Sequence, residues 1–192
     1  MLKITKRFVF VCLLATLSTS VNAAEGDVKV LMQTNQGDIT LLLNGTKAPK
    51  SVENFVAYAK SGYYDGTIFH RVISNFMIQG GGFDAQYQRK PTQDPINNEA
   101  DNGLKNVRGS IAMARTGNVH SATSQFFINV KDNTFLNFKD KSTRGYGYTV
   151  FGQVVKGMDI VDKIRQVQTG PGGPFPKDAP REAIVITKVS IL

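Results

Sequence analysis

The chain of 192 residues has one cysteine, Cys12, no tryptophan and only two histidines, His70 and His120. Cys12 lies within an apolar run at residues 8–17, which is too short to span a bilayer. Lys3, Lys6 and Arg7 precede the run, and Val21-Asn22-Ala23 follows it with the small residues a signal peptidase reads. Residues 1–23 therefore read as a cleaved secretory signal peptide, followed by one domain over residues 24–192. Once the leader is cut, no thiol is left, so disulfides and thiolate chemistry are excluded. Two histidines without cysteine make a poor metal set, and no metal or cofactor is expected. Ser124 lacks a G-x-S-x-G frame, so a hydrolase is the weakest reading of the sequence. The sequence has no internal repeat and no clustered basic tract. Without the leader's three cations, 20 basic residues face 15 acidic ones, a net charge of +5. That scattered charge suits solubility and mild attraction to acidic chains, and nucleic-acid binding is not expected.

What remains is a run of short alternating segments. Residues 28–34 and 38–43 read as a hairpin around Asn35-Gln36-Gly37. Pro49 suits a first helical turn, and Val52, Phe55, Val56 and Ala59 form one apolar stripe that stops near Gly62. Further strands are expected at 69–72, 77–82, 110–114, 125–129, 148–155 and 184–191. A second short helix is expected around Met158, Val161 and Ile164. Residues 83–108 read mostly as loop. The Gly/Pro-rich stretch at 169–180 reads as a rigid surface loop without function. Eight short sequential strands and two helices predict a mainly β fold: a closed eight-stranded antiparallel barrel with helices plugging its ends.

Two segments carry polar groups where the pattern asks for apolar ones: Phe69-His70-Arg71-Val72 and Met77-Ile78-Gln79-Gly80-Gly81-Gly82. Strand alternation puts Phe69 with Arg71 on one face, His70 with Val72 on the other, and Met77 with Gln79. Side by side, Arg71, Gln79, Met77 and Phe76 would make an apolar floor with one fixed cation and one amide. No nucleophile stands beside a base. Such a patch suits holding and polarising a peptide rather than cutting it. Alternation turns His70 away from Arg71, which gives it a structural role.

Four blocks in order carry a family resemblance: Phe69-His70-Arg71-Val72, Phe76-Met77-Ile78-Gln79-Gly80-Gly81, Ser124-Gln125-Phe126-Phe127-Ile128 and Val150-Phe151-Gly152. Together they resemble the cyclophilins, peptidyl-prolyl cis-trans isomerases, over about residues 27–192. The leader and the Asn98-Glu99 pair are similar to those of the periplasmic cyclophilins of Gram-negative bacteria. The resemblance implies Arg71 and Gln79 as catalytic residues. It implies Phe76, Met77, Phe127 and Leu136 around the proline ring, with Ala114, Arg115, Thr116, Gln125, Phe135 and Tyr148 completing substrate binding. Phe135 stands where eukaryotic members usually have Trp, so weak cyclosporin binding is expected. Tyr148 replaces a common His, and Arg115 replaces an Asn, a change expected to alter specificity more than rate. The implied partners are proline-containing unfolded or flexible polypeptides in the periplasm. The mature chain is expected to be a monomer that does not insert into the membrane. A non-catalytic peptide-binding or holdase module on the same barrel is the alternative. The role of Asn98-Glu99 stays open between substrate contact and loop ordering.

Overall fold

Strand alternation builds one main sheet with an apolar layer on each face. A computed structural model describes residues 26–192; the leader expected at residues 1–23 lies outside the described residues. The strands are β1 (Asp27–Thr34), β2 (Gly37–Asn44), β3 (Arg71–Ile73), β4 (Met77–Gly80), β5 (Ser110–Met113), β6 (Phe126–Asn129), β7 (Val150–Lys156), β8 (Thr169–Gly172), β9 (Phe175–Pro180) and β10 (Ile186–Ile191). All but β8 and β9 form one antiparallel sheet in the order β10-β1-β2-β7-β5-β6-β4-β3. The sheet curls through 221° as a half-barrel. The eight strands of the main sheet, their antiparallel direction and the two helices follow the sequence reading, the β8–β9 pair is additional, and β3 and β10 form the main sheet's two edges.

Inside the curl lies the main core, where Val30, Ile39, Leu41, Ile78, Ile111, Phe126, Ile128 and Phe151 are fully buried. Helix α1 (Pro49–Lys60) packs against β2 and β10 and adds Val52, Phe55, Tyr58 and Ala59. Phe55 sits among Tyr64, Phe126 and Phe151 with ring centroids 4.9–5.6 Å apart, a spacing at which aromatic rings attract beyond simple burial. Helix α2 (Met158–Arg165) packs against β2, β3 and β4 and buries Val161 and Ile164. Asp162 on α2 accepts from Arg108 at 2.6 Å and from Arg165 at 2.8 Å. The hydrogen bond from Arg108 outweighs burial and holds the Asp162 carboxyl below its ordinary range.

The start of α1 explains one residue pair that sequence alone left open. Ala48 precedes the helix and offers no side-chain cap. Glu99 supplies it from the loop: its carboxylate accepts from the Lys50 N–H at 3.0 Å, the Ser51 N–H at 2.9 Å and the Ser51 hydroxyl at 2.7 Å. An anion at a helix N-terminus also meets the positive end of the helix dipole. Asn98, itself buried, holds the Gly147 carbonyl, the Ala100 N–H and the Thr149 hydroxyl. Both residues order structure. Glu99→Ala is expected to destabilise the fold by about 1 kcal/mol, the usual worth of an N-cap, as measured by urea unfolding.

Two local expectations are corrected. Phe69 does not share a face with Arg71. It is buried in the main core with Val72, because the ladder begins only at Arg71 and alternation does not extend back over Phe69 and His70. The stretch at 169–180 is not a bare loop. Its β8–β9 hairpin pairs antiparallel and packs its β9 strand on β3. Phe175 stacks on His70 at 5.0 Å and meets Phe83 edge-on at 5.1 Å. Proline tolerates this position because the hairpin stands outside the main sheet, where few ladder donors are needed.

Candidate active site

Residues directly opposite one another on neighbouring strands share a face. Register here sets Arg71 against Gln79, Gln79 against Phe127, Phe127 against Ala112, and Ala112 against Val150. These five residues form one row across β3, β4, β6, β5 and β7. Their neighbours Val72, Ile78, Phe126, Ile128 and Ile111 point into the main core, so the row is on the sheet's other face. There Met77, Ala112, Phe127, Leu136 and Val150 form a second, smaller apolar cluster, with Phe76, Ala114 and Tyr148 packed against it.

At the polar end of this row is a hollow of about 160 Å³ lined by Arg71, Phe76, Met77, Gln79, Ala114, Arg115, Phe127, Leu136 and Tyr148. Nine of the twelve residues expected at the site line it. Phe135 stands at its rim, exposed, with its ring stacked on Phe76 at 5.6 Å. Thr116 and Gln125 line an adjoining hollow of about 110 Å³ that shares Gln79, Ala114 and Arg115 with the first. Gln79 Nε2 donates to Gln125 Oε1 at 3.0 Å across the divide. Glycine at position 82 makes this possible, since a Cβ there would lie 2.5 Å from Gln125 Cγ. Arg115 donates through Nε to the Gly147 carbonyl at 2.9 Å and lies over the Tyr148 ring at 4.7 Å. Tyr148 in turn meets Phe127 edge-on at 5.7 Å. The aromatic wall is thus braced by a cation outside it.

The Arg71 guanidinium lines the hollow and is half-exposed. Asp178 of β9 stands 3.8 Å from its Nε, beyond hydrogen-bond length. The carboxylate therefore balances charge on one edge without capturing the donors. His70 lies outside both hollows: it is buried between Phe83 and Phe175, and burial pushes its pKa down to about 4. His120 accepts from the Asn98 N–H through Nδ1 at 3.0 Å, a loop-ordering bond. Among the described residues, no three His, Cys, Asp or Glu side chains come together.

Sequence reasoning missed the support beneath the hollow. Asn129, on β6 two residues after Phe127, is fully buried and donates to Asn106 Oδ1 at 3.1 Å and Ser110 Oγ at 2.9 Å. It accepts from Asn133 Nδ2 at 2.7 Å. Asn133 also donates to the Phe76 carbonyl at 2.8 Å, and Asn106 to the Leu136 carbonyl at 3.2 Å. Three buried amides thus tie down the backbone of two lining residues. The available signal was an asparagine ending a strand of buried apolar residues. Asn129→Ala leaves Asn106 Oδ1 without its donor and breaks the ties to Ser110 and Asn133 in a buried setting. It is expected to lower stability by roughly 1–3 kcal/mol and kcat/KM with it, as read by urea melts and turnover on one preparation.

The fold and site together define a class: a β protein with a cation-edged apolar hollow on one face of a curled antiparallel sheet. The profile of the cyclophilin type peptidyl-prolyl cis-trans isomerase family matches residues 29–191. The chain is 55% identical over 162 residues to peptidyl-prolyl cis-trans isomerase B of Escherichia coli, which spans 84% of this chain and 98% of that protein. It is also 55% identical over 170 residues to peptidyl-prolyl cis-trans isomerase A of Dickeya dadantii, covering 88% and 87% respectively. Among solved structures it resembles a cyclophilin type isomerase of Cryptosporidium parvum crystallised in the presence of the dipeptide Ala-Pro. That likeness has a TM-score of 0.68 at 29% identity and covers 85% of this chain and 98% of that one. The chain belongs to the cyclophilin-type peptidyl-prolyl cis-trans isomerases, and its activity is peptidyl-prolyl cis-trans isomerisation.

Proposed function

We propose that Arg71 is the catalytic cation, that Gln79 holds the substrate backbone, and that Phe76, Met77, Phe127 and Leu136 seat the proline ring. The observation that carries this reading is the cross-strand row Arg71–Gln79–Phe127 ending at the hollow. Rotation about an X–Pro bond is slow because it destroys amide resonance, and it takes tens to hundreds of seconds unaided. In the twisted amide the nitrogen is pyramidal and regains its lone pair. A guanidinium can donate to that lone pair, an interaction absent from either planar isomer. It lowers the barrier rather than merely tightening binding. Arginine suits the task because it stays charged and its fork is rigid.

Magnitudes set the division of labour. Shortening a ~100 s event to ~10 ms takes roughly 5.5 kcal/mol. A hydrogen bond to a charged group contributes about 1.5–3 kcal/mol. The remainder falls to the apolar wall, which disfavours the strongly polar planar amide and pins the ring while the preceding carbonyl turns.

The clients in this reading are proline-containing segments of exported proteins, and the compartment is the periplasm; the charged-apolar-small order of residues 1–23 supports it. The barrel wall acts as a closed one. Hydrogen bonds from the Phe69 N–H to the Ile184 carbonyl (2.9 Å) and from the Ile186 N–H to the Thr67 carbonyl (2.7 Å) link the segments leading into the edge strands. The mature chain works as a monomer without a cofactor. With Phe135 at the rim offering no indole N–H, it binds cyclosporin weakly. The test is a protease-coupled assay of a short X–Pro peptide with protein from residue 24 onward. Acceleration is expected; saturable peptide binding without acceleration would favour a holdase instead.

A further inference from the structure

The smaller hollow is also lined by Arg89, Ser121 and Thr123. Around the two joined hollows stand three charged side chains, Arg71, Arg89 and Arg115, and all are cations. Among the described residues, no Asp or Glu lines either hollow; the nearest carboxylate to the site's cations, Asp178, sits at the Nε edge of Arg71. Arg115 cannot swing away freely. Its Nε and Nη1 are bonded to the Gly147 and Thr116 carbonyls at 2.9 and 3.0 Å, and its plane rests on Tyr148. Its Nη2 and the whole guanidinium of Arg89 carry no hydrogen bond within the described residues. Arg115 is thus held at a concave surface with a donor to spare, exposed Arg89 lines the same hollow, and an acidic acceptor arriving with a ligand can take charge-assisted hydrogen bonds from both.

We propose that Arg89 and Arg115 select substrates carrying an acidic side chain, Asp or Glu, one or two residues from the isomerising proline. This inference rests on the isomerase reading and adds the substrate class. The geometry sets the reach. The hollows share Gln79, Ala114 and Arg115 as a common wall, so a peptide whose proline fills the first places a neighbouring side chain at the second. An extended chain advances only about 3.3 Å per residue, so residues farther along pass the smaller hollow. A Lys or Arg at the same position meets two like charges, of which Arg115 is held in place, and is disfavoured.

The experiment compares peptides of one length with Glu, Gln or Lys near the proline, and with the same residues six positions away. Isomerisation is followed by NMR exchange, so no protease preference enters. Near the proline, Glu is expected to exceed Lys in kcat/KM by roughly 3- to 10-fold at low salt, as two partly exposed ion pairs allow. The ratio should collapse at about 0.5 M salt, where screening is short-ranged. Arg89→Gln should lower it, whereas Lys188→Gln, an equal charge change on β10, should not. A Glu:Lys ratio near one would overturn the proposal. So would an equal ratio at the distant position, or a ratio indifferent to Arg89→Gln; each would leave only bulk attraction to a basic protein. Failure to accelerate any peptide would sink the isomerase reading itself, whereas equal acceleration of all of them sinks only the selection.

Discussion

Arg71→Ala is expected to lower kcat/KM for an X–Pro peptide by roughly 10- to 150-fold, the kinetic equivalent of one hydrogen bond to a charged group. The loss should fall mainly on kcat, since the bond to the pyramidal nitrogen exists only while the amide is twisted. The folded state should survive. Arg71 is half-exposed, its one ion pair is a long 3.8 Å contact, and such surface pairs are worth little. Arg71→Lys should recover only a small part of the loss, because a flexible point charge replaces a planar fork. Stopped-flow turnover beside thermal melts separates chemistry from stability. An Arg71→Ala protein as fast as the wild type would remove this residue from the mechanism and leave the apolar wall to explain the rate.

Acidification from pH 7 to below pH 4 is expected to remove about 3 kcal/mol of stability through His70 alone. The imidazole lies between Phe83 and Phe175, where burial disfavours its charged form. The Ile68 backbone opposes that effect and the Arg71 charge adds to it, leaving a pKa of about 4. The unfolded chain titrates near the ordinary value, 6.5. Between those values the unfolded chain holds a proton that the folded one refuses. Stability therefore falls as pH drops below about 6.5, and the loss is complete below about 4. Asp162 acts in a lower window: its depressed carboxyl adds stability that is lost only as pH falls below its unfolded value of 3.8. Urea melts across this range should show the slope in wild type and a flatter one in His70→Phe, which keeps the stack on Phe175. An unchanged slope in His70→Phe would show that the histidine is charged or hydrated in the folded state.

The amide triad shows why parts of such a site resist reading from sequence. Asn106, Asn129 and Asn133 look like loop or strand-end residues, and each is explained only by the partner that folding sets against it. Glu99 is a similar case. Its carboxylate caps a helix that begins 50 positions earlier in the chain, and no local pattern announces that meeting. The β8–β9 hairpin was hidden by its own prolines, which read as breakers until Phe175 is seen stacked on His70. Phe69 escapes the alternation rule because that rule holds only within a ladder, and the ladder starts two residues later.

Alternation and block order did determine most of the rest. Phe126 inward and Phe127 outward, Ile78 inward with Met77 and Gln79 outward, and the Val52–Phe55–Ala59 stripe all follow from side-chain periodicity, which is a local property of the backbone. Register is not local, because it depends on which strands pair and at what offset. Only the folded sheet set Arg71 opposite Gln79 and Gln79 opposite Phe127, turned three separated residues into one row, and brought Arg89 and Arg115 to one hollow that Gln79 also lines.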